Sequence, residues 1–225
     1  MKEFDKLINR LSSKANPANY FSKIINQYTG TNRHYHNLQH VIHCLDEFKH
    51  VKHLVDCKDA LELAIWYHDF IYYTKTFDDK KNPIIVQDNE EKSAIFAYEV
   101  AKELRMQDDF AQKVHDLIIL TKNHFIVPKT IDEQVMLDAD LSILGQPKDI
   151  YDAYEQAIRR EYAWVPIDIF RKKRGIILQK FLNKSRESSI YSTGYFCKKY
   201  ESLAVENIER ALFNLSLNSA FKSKD

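Results

Sequence analysis

The chain has 225 residues, enough for one domain with a sizeable core, and its four glycines and five prolines are too few for an all-β fold built on tight turns. A net charge of +1 argues against the concentrated basic surface of a dedicated nucleic-acid or anionic-membrane binder. Three widely spaced cysteines (Cys44, Cys57, Cys197) form no CxxC, Met1-Lys2-Glu3-Phe4-Asp5-Lys6 has no signal-peptide core, and no run approaches roughly 18 apolar residues, so the expectation is a soluble, cytoplasmic protein with reduced thiols.

The apolar period is helical almost throughout. Asn16-Pro17 supplies a cap and an N1 proline before Tyr20, Phe21, Ile24, Ile25 and Tyr28, and Gly30 ends that helix. The next helix starts near His36 with Leu38, Val41, Ile42, Leu45 and Phe48 on one side. Another is predicted from about Lys58 to Ile71 and contains His68-Asp69. Tyr73 to Gln87 has no clear period and reads as a long loop, with only Pro83-Ile84-Ile85-Val86 strand-like. Asp88 with Glu91 resembles a capping box for a helix to about Met106, and Asp108 or Asp109 opens one to about His124. Thr130 with Glu133 opens a helix holding Asp138 and Asp140 that stops at Gly145. Pro147 starts a long helix through Tyr162, Pro166 breaks it, and helices over 167–182 and 196–217 follow. The expected fold is an all-α bundle of about 8–10 helices in a single domain, with its core at about 20–215.

The chemistry concentrates where imidazoles meet carboxylates. His36 and His40 are spaced i, i+4 and would share one helix face, about 6 Å apart at Cβ, so that one can hold a metal while the other faces a substrate. His68 and Asp69 sit in an apolar run where an unpartnered carboxylate is costly, so each needs a partner. Asp138 and Asp140 point to nearly opposite sides of a helix, and Asp140 falls beside the apolar face. Two imidazoles (His68 and one of His36 and His40) and two carboxylates (Asp69, Asp140) can build one octahedral or five-coordinate site with water in the open positions. His34, His43, His50 and His53 read as peripheral. His115 and His124 are nine apart, half a turn out of phase; His124 is a pocket candidate and His115 is solvated. Arg171-Lys172-Lys173-Arg174 reads as a solvated helix face.

Four segments in order carry a resemblance: Arg33-His34-Tyr35-His36-Asn37-Leu38-Gln39-His40, His68-Asp69, Asn89-Glu90-Glu91-Lys92-Ser93-Ala94 and Asp138-Ala139-Asp140-Leu141. They resemble the HD-domain superfamily of metal-dependent phosphohydrolases, in particular a branch of small predicted members, and are distantly similar to cyclic-nucleotide phosphodiesterases. The resemblance implies an HD-type helical fold, His36 as the acid that protonates a leaving group, and His40 as a metal ligand. The acidic pair that follows His-Asp in hydrolases of guanosine tetraphosphate is replaced here by Phe70-Ile71-Tyr72-Tyr73.

The expected function is hydrolysis of a phosphate ester of a small metabolite or nucleotide by a metal-activated water. The divalent ion (Mn, Fe, Co, Ni, Zn or Mg, among which mixed N/O ligation does not choose) would be held by His40, His68, Asp69 and Asp140. His36 would be the general acid, Glu90 would orient water, and Arg33 would pair with a substrate phosphate. The partner is a small phosphorylated substrate, with no nucleic acid and no membrane. Two other readings stand beside it: a non-catalytic metal-stabilised or ligand-sensing helical domain, and a dinuclear oxygenase that would need His115 and His124 together.

Overall fold

The computed structural model describes residues 2–78 and 80–220, with side chains described through 216. Among the described residues the protein is all-α, with ten α-helices and one two-residue hairpin. Among the described residues no helix is long and apolar enough to cross a membrane. The chain divides into two compact units, Met1–Ala139 and Asp140–Asp225.

The first unit is built around α4 (Lys58–Tyr67), whose last eight residues, Ala60 to Tyr67, are all buried. A helix apolar all round must be enclosed by others. Enclosing it are α1 (Lys2–Leu11), α3 (Leu38–Val51), α5 (Asn89–Glu103) and α6 (Asp108–Leu120), while α2 (Pro17–Tyr28) packs on α1. Helix α1 has no counterpart in the sequence reading, yet it buries Phe4, Leu7 and Ile8 completely. Each such side chain contributes about 1.5–3 kcal/mol. The charge inside the core is matched: Glu62 accepts from Arg10 at 2.8 Å and Lys52 at 2.5 Å. Asn16 caps α2 as expected, accepting from the Ala18 N–H at 3.1 Å with Pro17 at N1. Asp88 does not cap α5 with its side chain; it pairs with Lys92 at 3.0 Å instead. Thr130 caps α7 (Ile131–Leu141), accepting from the Glu133 N–H at 3.3 Å, while Glu133 reaches back to the Lys129 N–H at 2.6 Å. Helices α5 and α6 end sooner than expected, at Glu103 and Leu120. Ile42, assigned to the core side of α3, is 44% exposed. The expected loop is a loop, interrupted only by β1 (Thr76–Phe77) pairing antiparallel with β2 (Pro83–Ile84); Asp79 lies outside the described residues.

The second unit begins in the last turn of α7 and continues through a 3-10 turn, Ser142–Gly145, into α8 (Lys148–Glu161), α9 (Ile167–Glu187) and α10 (Gly194–Ala220). The 3-10 turn is pinned to α10: Asn207 donates to the carbonyls of Leu144 and Gln146 at 2.9 and 2.8 Å. Arg174 departs from its expected solvated face. It is largely buried, forks onto Glu155 and donates to the Tyr154 hydroxyl at 2.8 Å. The first arginine of the same run, Arg171, pairs with Asp168 one turn back at 3.8 Å.

Candidate metal centre

The His-Asp pair does not lie inside a helix. Helix α4 ends at Tyr67, His68 is its C-cap, and Asp69 and Phe70 form the turn that leaves it. The helix stops because side chains from elsewhere satisfy the backbone beyond it, where every buried peptide group needs a partner. Arg33 donates to the carbonyls of Asp69 at 2.6 Å and Phe70 at 2.7 Å, and also to that of His36 at 2.9 Å. Ser93 accepts from the Ile71 N–H at 2.9 Å and donates to its carbonyl at 3.2 Å. Asn89 does the same for Tyr73, at 3.1 and 2.9 Å. The Asn-Glu-x-x-Ser segment is therefore a clamp on the strand of chain that follows the pair. Arg33, expected at a substrate phosphate, is a strut tying the His36 turn to the Asp69 turn.

His36 also lies outside a helix. Asn37 is the N-cap of α3, its side chain accepting from the Gln39 N–H at 2.8 Å, so the i, i+4 stacking expected for His36 and His40 does not apply. The His36 ring instead stacks on Tyr72 with centroids 4.1 Å apart, and sits 5.9 Å from the His40 ring.

The structure brings three of the expected ligands together. His40 Nε2 and His68 Nε2 are 3.1 Å apart, and Asp69 Oδ2 lies 3.4 Å from the first and 3.1 Å from the second. Both imidazoles are buried, while the Asp69 side chain is 14% exposed and forms the accessible edge. His68 Nδ1 faces the Ile65 carbonyl at 2.9 Å. A carbonyl only accepts, so Nδ1 carries the proton and the lone pair of neutral His68 is on Nε2, toward Asp69. Two ligands on an ion with bonds of about 2.1 Å are about 3.0 Å apart at right angles and about 3.4 Å apart at the tetrahedral angle. The edges of this triangle match that span, so the residues fit a divalent ion. Cys44, one turn beyond His40 on α3, adds a sulfur 3.7 Å from His40 Nδ1 and 3.8 Å from its Nε2. Ligand atoms of His40, Cys44 and His68 all lie within 4.8 Å of one another.

The electrostatics suit a cation. Burial pushes the Asp69 carboxyl up, but in the ion-free protein the charges of protonated His68 and His36 and the hydrogen bonds that protonated His40 and His68 donate overcome it and hold Asp69 well below the ordinary carboxylate range. Glu90, half-buried in the first turn of α5, is shifted the other way: burial raises it, its own backbone N–H opposes, and the charge of Asp69 raises it further.

The remaining candidates are placed as follows. Asp140, half-buried, is the first residue of the second unit. Asp138 is buried, as are Val135, Met136, Leu137 and Ala139, so α7 has no apolar side against which helical phase can sort the two aspartates. His124 lies beyond the end of α6, so the phase comparison with His115, which assumed one straight helix, does not apply. His115 is paired with Asp116 at 3.0 Å. Of the residues now at the centre, Cys44 and Tyr72 were not singled out from sequence; for Cys44 the i+4 spacing from His40 was the available signal. No family model, no curated protein and no solved structure matches this chain.

Proposed function

We propose that the protein is a metal-dependent phosphohydrolase of the HD-domain kind, acting on a phosphate ester of a small metabolite or nucleotide. The observation that carries the reading is the 3.1–3.4 Å triangle of His40 Nε2, His68 Nε2 and Asp69 Oδ2. Two buried imidazole nitrogens and a carboxylate converging within 3.4 Å are costly in a core unless a cation joins them. In this reading His40, His68 and Asp69 hold the ion. A divalent ion in such a site lowers the pKa of bound water from about 15.7 toward about 7 and offsets the charge of a phosphoryl group.

The chain's own residues do the rest. His36, held by its stack on Tyr72 and half-buried, donates a proton to the departing oxygen. Glu90, its carboxyl raised by burial and by the charge of Asp69, accepts a proton from the attacking water. Arg33, Ser93 and Asn89 keep the Asp69–Tyr73 turn in place.

The test is metal analysis of the purified protein with a hydrolysis screen over generic phosphomonoesters, phosphodiesters and a nucleotide panel. Wild type is expected to carry a stoichiometric divalent ion and turn over at least one substrate. Asp69→Ala loses both metal and turnover, whereas His36→Gln keeps metal and loses turnover. A folded, metal-loaded wild type with no turnover on any ester would favour the reading of a metal-stabilised or ligand-sensing domain.

A further inference from the structure

Cys44 is, among the described residues, the cysteine beside the triangle. It lies one helical turn from His40 on α3, so both side chains project from the same face. Val41, Leu45 and Phe48 around it are buried and apolar, and the thiol is 1% exposed. In such a setting cysteine is ordinarily an inert filler. The other two cysteines have different partners: the Cys197 thiol donates to the Tyr191 carbonyl, and the Cys57 backbone N–H goes to Asp132. Cys44 instead sits 3.7 and 3.8 Å from the two ring nitrogens of His40. Sulfur and nitrogen on a tetrahedral zinc, with bonds of about 2.3 and 2.1 Å, are about 3.6 Å apart. The Sγ–Nε2 separation of 3.8 Å is close to that span, and Sγ is within 4.8 Å of a His68 ligand atom. Being nearly equidistant from both His40 nitrogens, it stands over the ring, and a turn about Cα–Cβ brings it to the ion.

We propose that this site selects a thiophilic transition ion, with the Cys44 thiolate as a ligand beside His40 and His68. The proposal rests on the metal reading above and narrows it. Magnesium and calcium take oxygen donors and gain nothing from sulfur, whereas zinc, cobalt and ferrous iron accept thiolate and imidazole together. Binding exchanges the S–H bond for a sulfur–metal bond, and the proton released goes to solvent. A sulfur donor also reduces the net positive charge of the ion, which moderates its effect on bound water.

The experiment loads the full chain with cobalt(II) and records its absorption spectrum, then measures zinc and manganese affinities by competition with a chromophoric chelator. Wild type is expected to show visible cobalt bands together with a near-ultraviolet thiolate-to-cobalt charge-transfer band. Cys44→Ser and Cys44→Ala lose the charge-transfer band, and their zinc affinity falls on the order of 10- to 100-fold. Manganese affinity changes by less than about threefold, because a hard ion makes little use of sulfur. Visible bands in wild type without the charge-transfer band overturn this proposal and leave the metal reading standing. No cobalt bound at all overturns both. The wild-type spectrum decides without any variant, so poor folding of a Cys44 substitution does not affect the outcome.

Discussion

The Nδ1–H of His68 donates to the carbonyl of Ile65 at 2.9 Å, and this bond turns Nε2 toward His40 and Asp69. A ring so oriented presents its lone pair to the centre of the triangle before any ion arrives, which lowers the cost of assembling the site. Binding to the folded state alone must raise its stability. At a free ion concentration of 100 Kd the gain is about 2.7 kcal/mol, roughly 5–10 °C in Tm for a chain of this size. Differential scanning fluorimetry with and without zinc, cobalt or manganese measures it. His68→Gln is expected to abolish the shift and EDTA to reverse it in wild type; an unchanged shift in His68→Gln would remove His68 from the site.

Arg33 connects two turns through three carbonyl acceptors, and its guanidinium lies over the Tyr28 ring at 4.9 Å. Lysine carries the charge without the planar fork and cannot reproduce those bonds together. Arg33→Lys is therefore expected to destabilise the first unit by about 1–3 kcal/mol and to weaken metal binding by about 10- to 100-fold. Isothermal titration of the apo variant reads the second effect separately from the first. Unchanged affinity would show that the Asp69 turn holds itself.

What the sequence made legible follows from the range of each interaction. Helical period and caps are local, so α2, α8 and the Thr130 cap of α7 fall where Asn16-Pro17, Pro147 and Thr130 place them. The end of α4 at Tyr67 was hidden, since it depends on Arg33, Asn89 and Ser93 taking the backbone of the next turn from far along the chain. His36 was misplaced on a helix for a related reason: Asn37 is a strong N-cap, but an Asn within a periodic run does not announce itself as one. The grouping of His40 with His68-Asp69 was legible because a buried carboxylate demands partners and few were available. Phase could not separate Asp138 from Asp140, because α7 is buried on every side from Val135 to Ala139.

Gly145 ends the 3-10 turn against α10, and a Cβ there would lie 2.4 Å from Tyr200 Cβ and 2.6 Å from the Tyr200 carbonyl oxygen. The obstacle is backbone and the root of a side chain, which cannot swing aside. Gly145→Ala is expected to cost about 1–3 kcal/mol, seen as a lower denaturant midpoint with an unchanged slope. A neutral substitution would mean that the turn can slide along α10 without loss.

Glu90 gives a prediction with a defined sign. Its folded-state pKa is raised by burial, helped by the charge of Asp69 and opposed by its own backbone N–H. For a raised group the stabilising contribution is fully present below the unfolded value of about 4.3 and is lost as pH rises through the folded value. At neutral pH the ionised side chain therefore works against folding, and below about pH 4 it does not. Glu90→Gln removes the charge while keeping the shape. In metal-free protein its Tm is expected to exceed that of wild type by up to a few °C at pH 7, with the difference vanishing toward pH 4. On the proposed mechanism the same variant loses turnover, since an amide cannot accept the proton of the attacking water. Gained stability with lost turnover is the pattern of a residue kept for chemistry rather than for the fold. A pH-independent difference in Tm would show that Glu90 does not titrate under the influence of burial and Asp69, and turnover equal to wild type would remove it from the reaction.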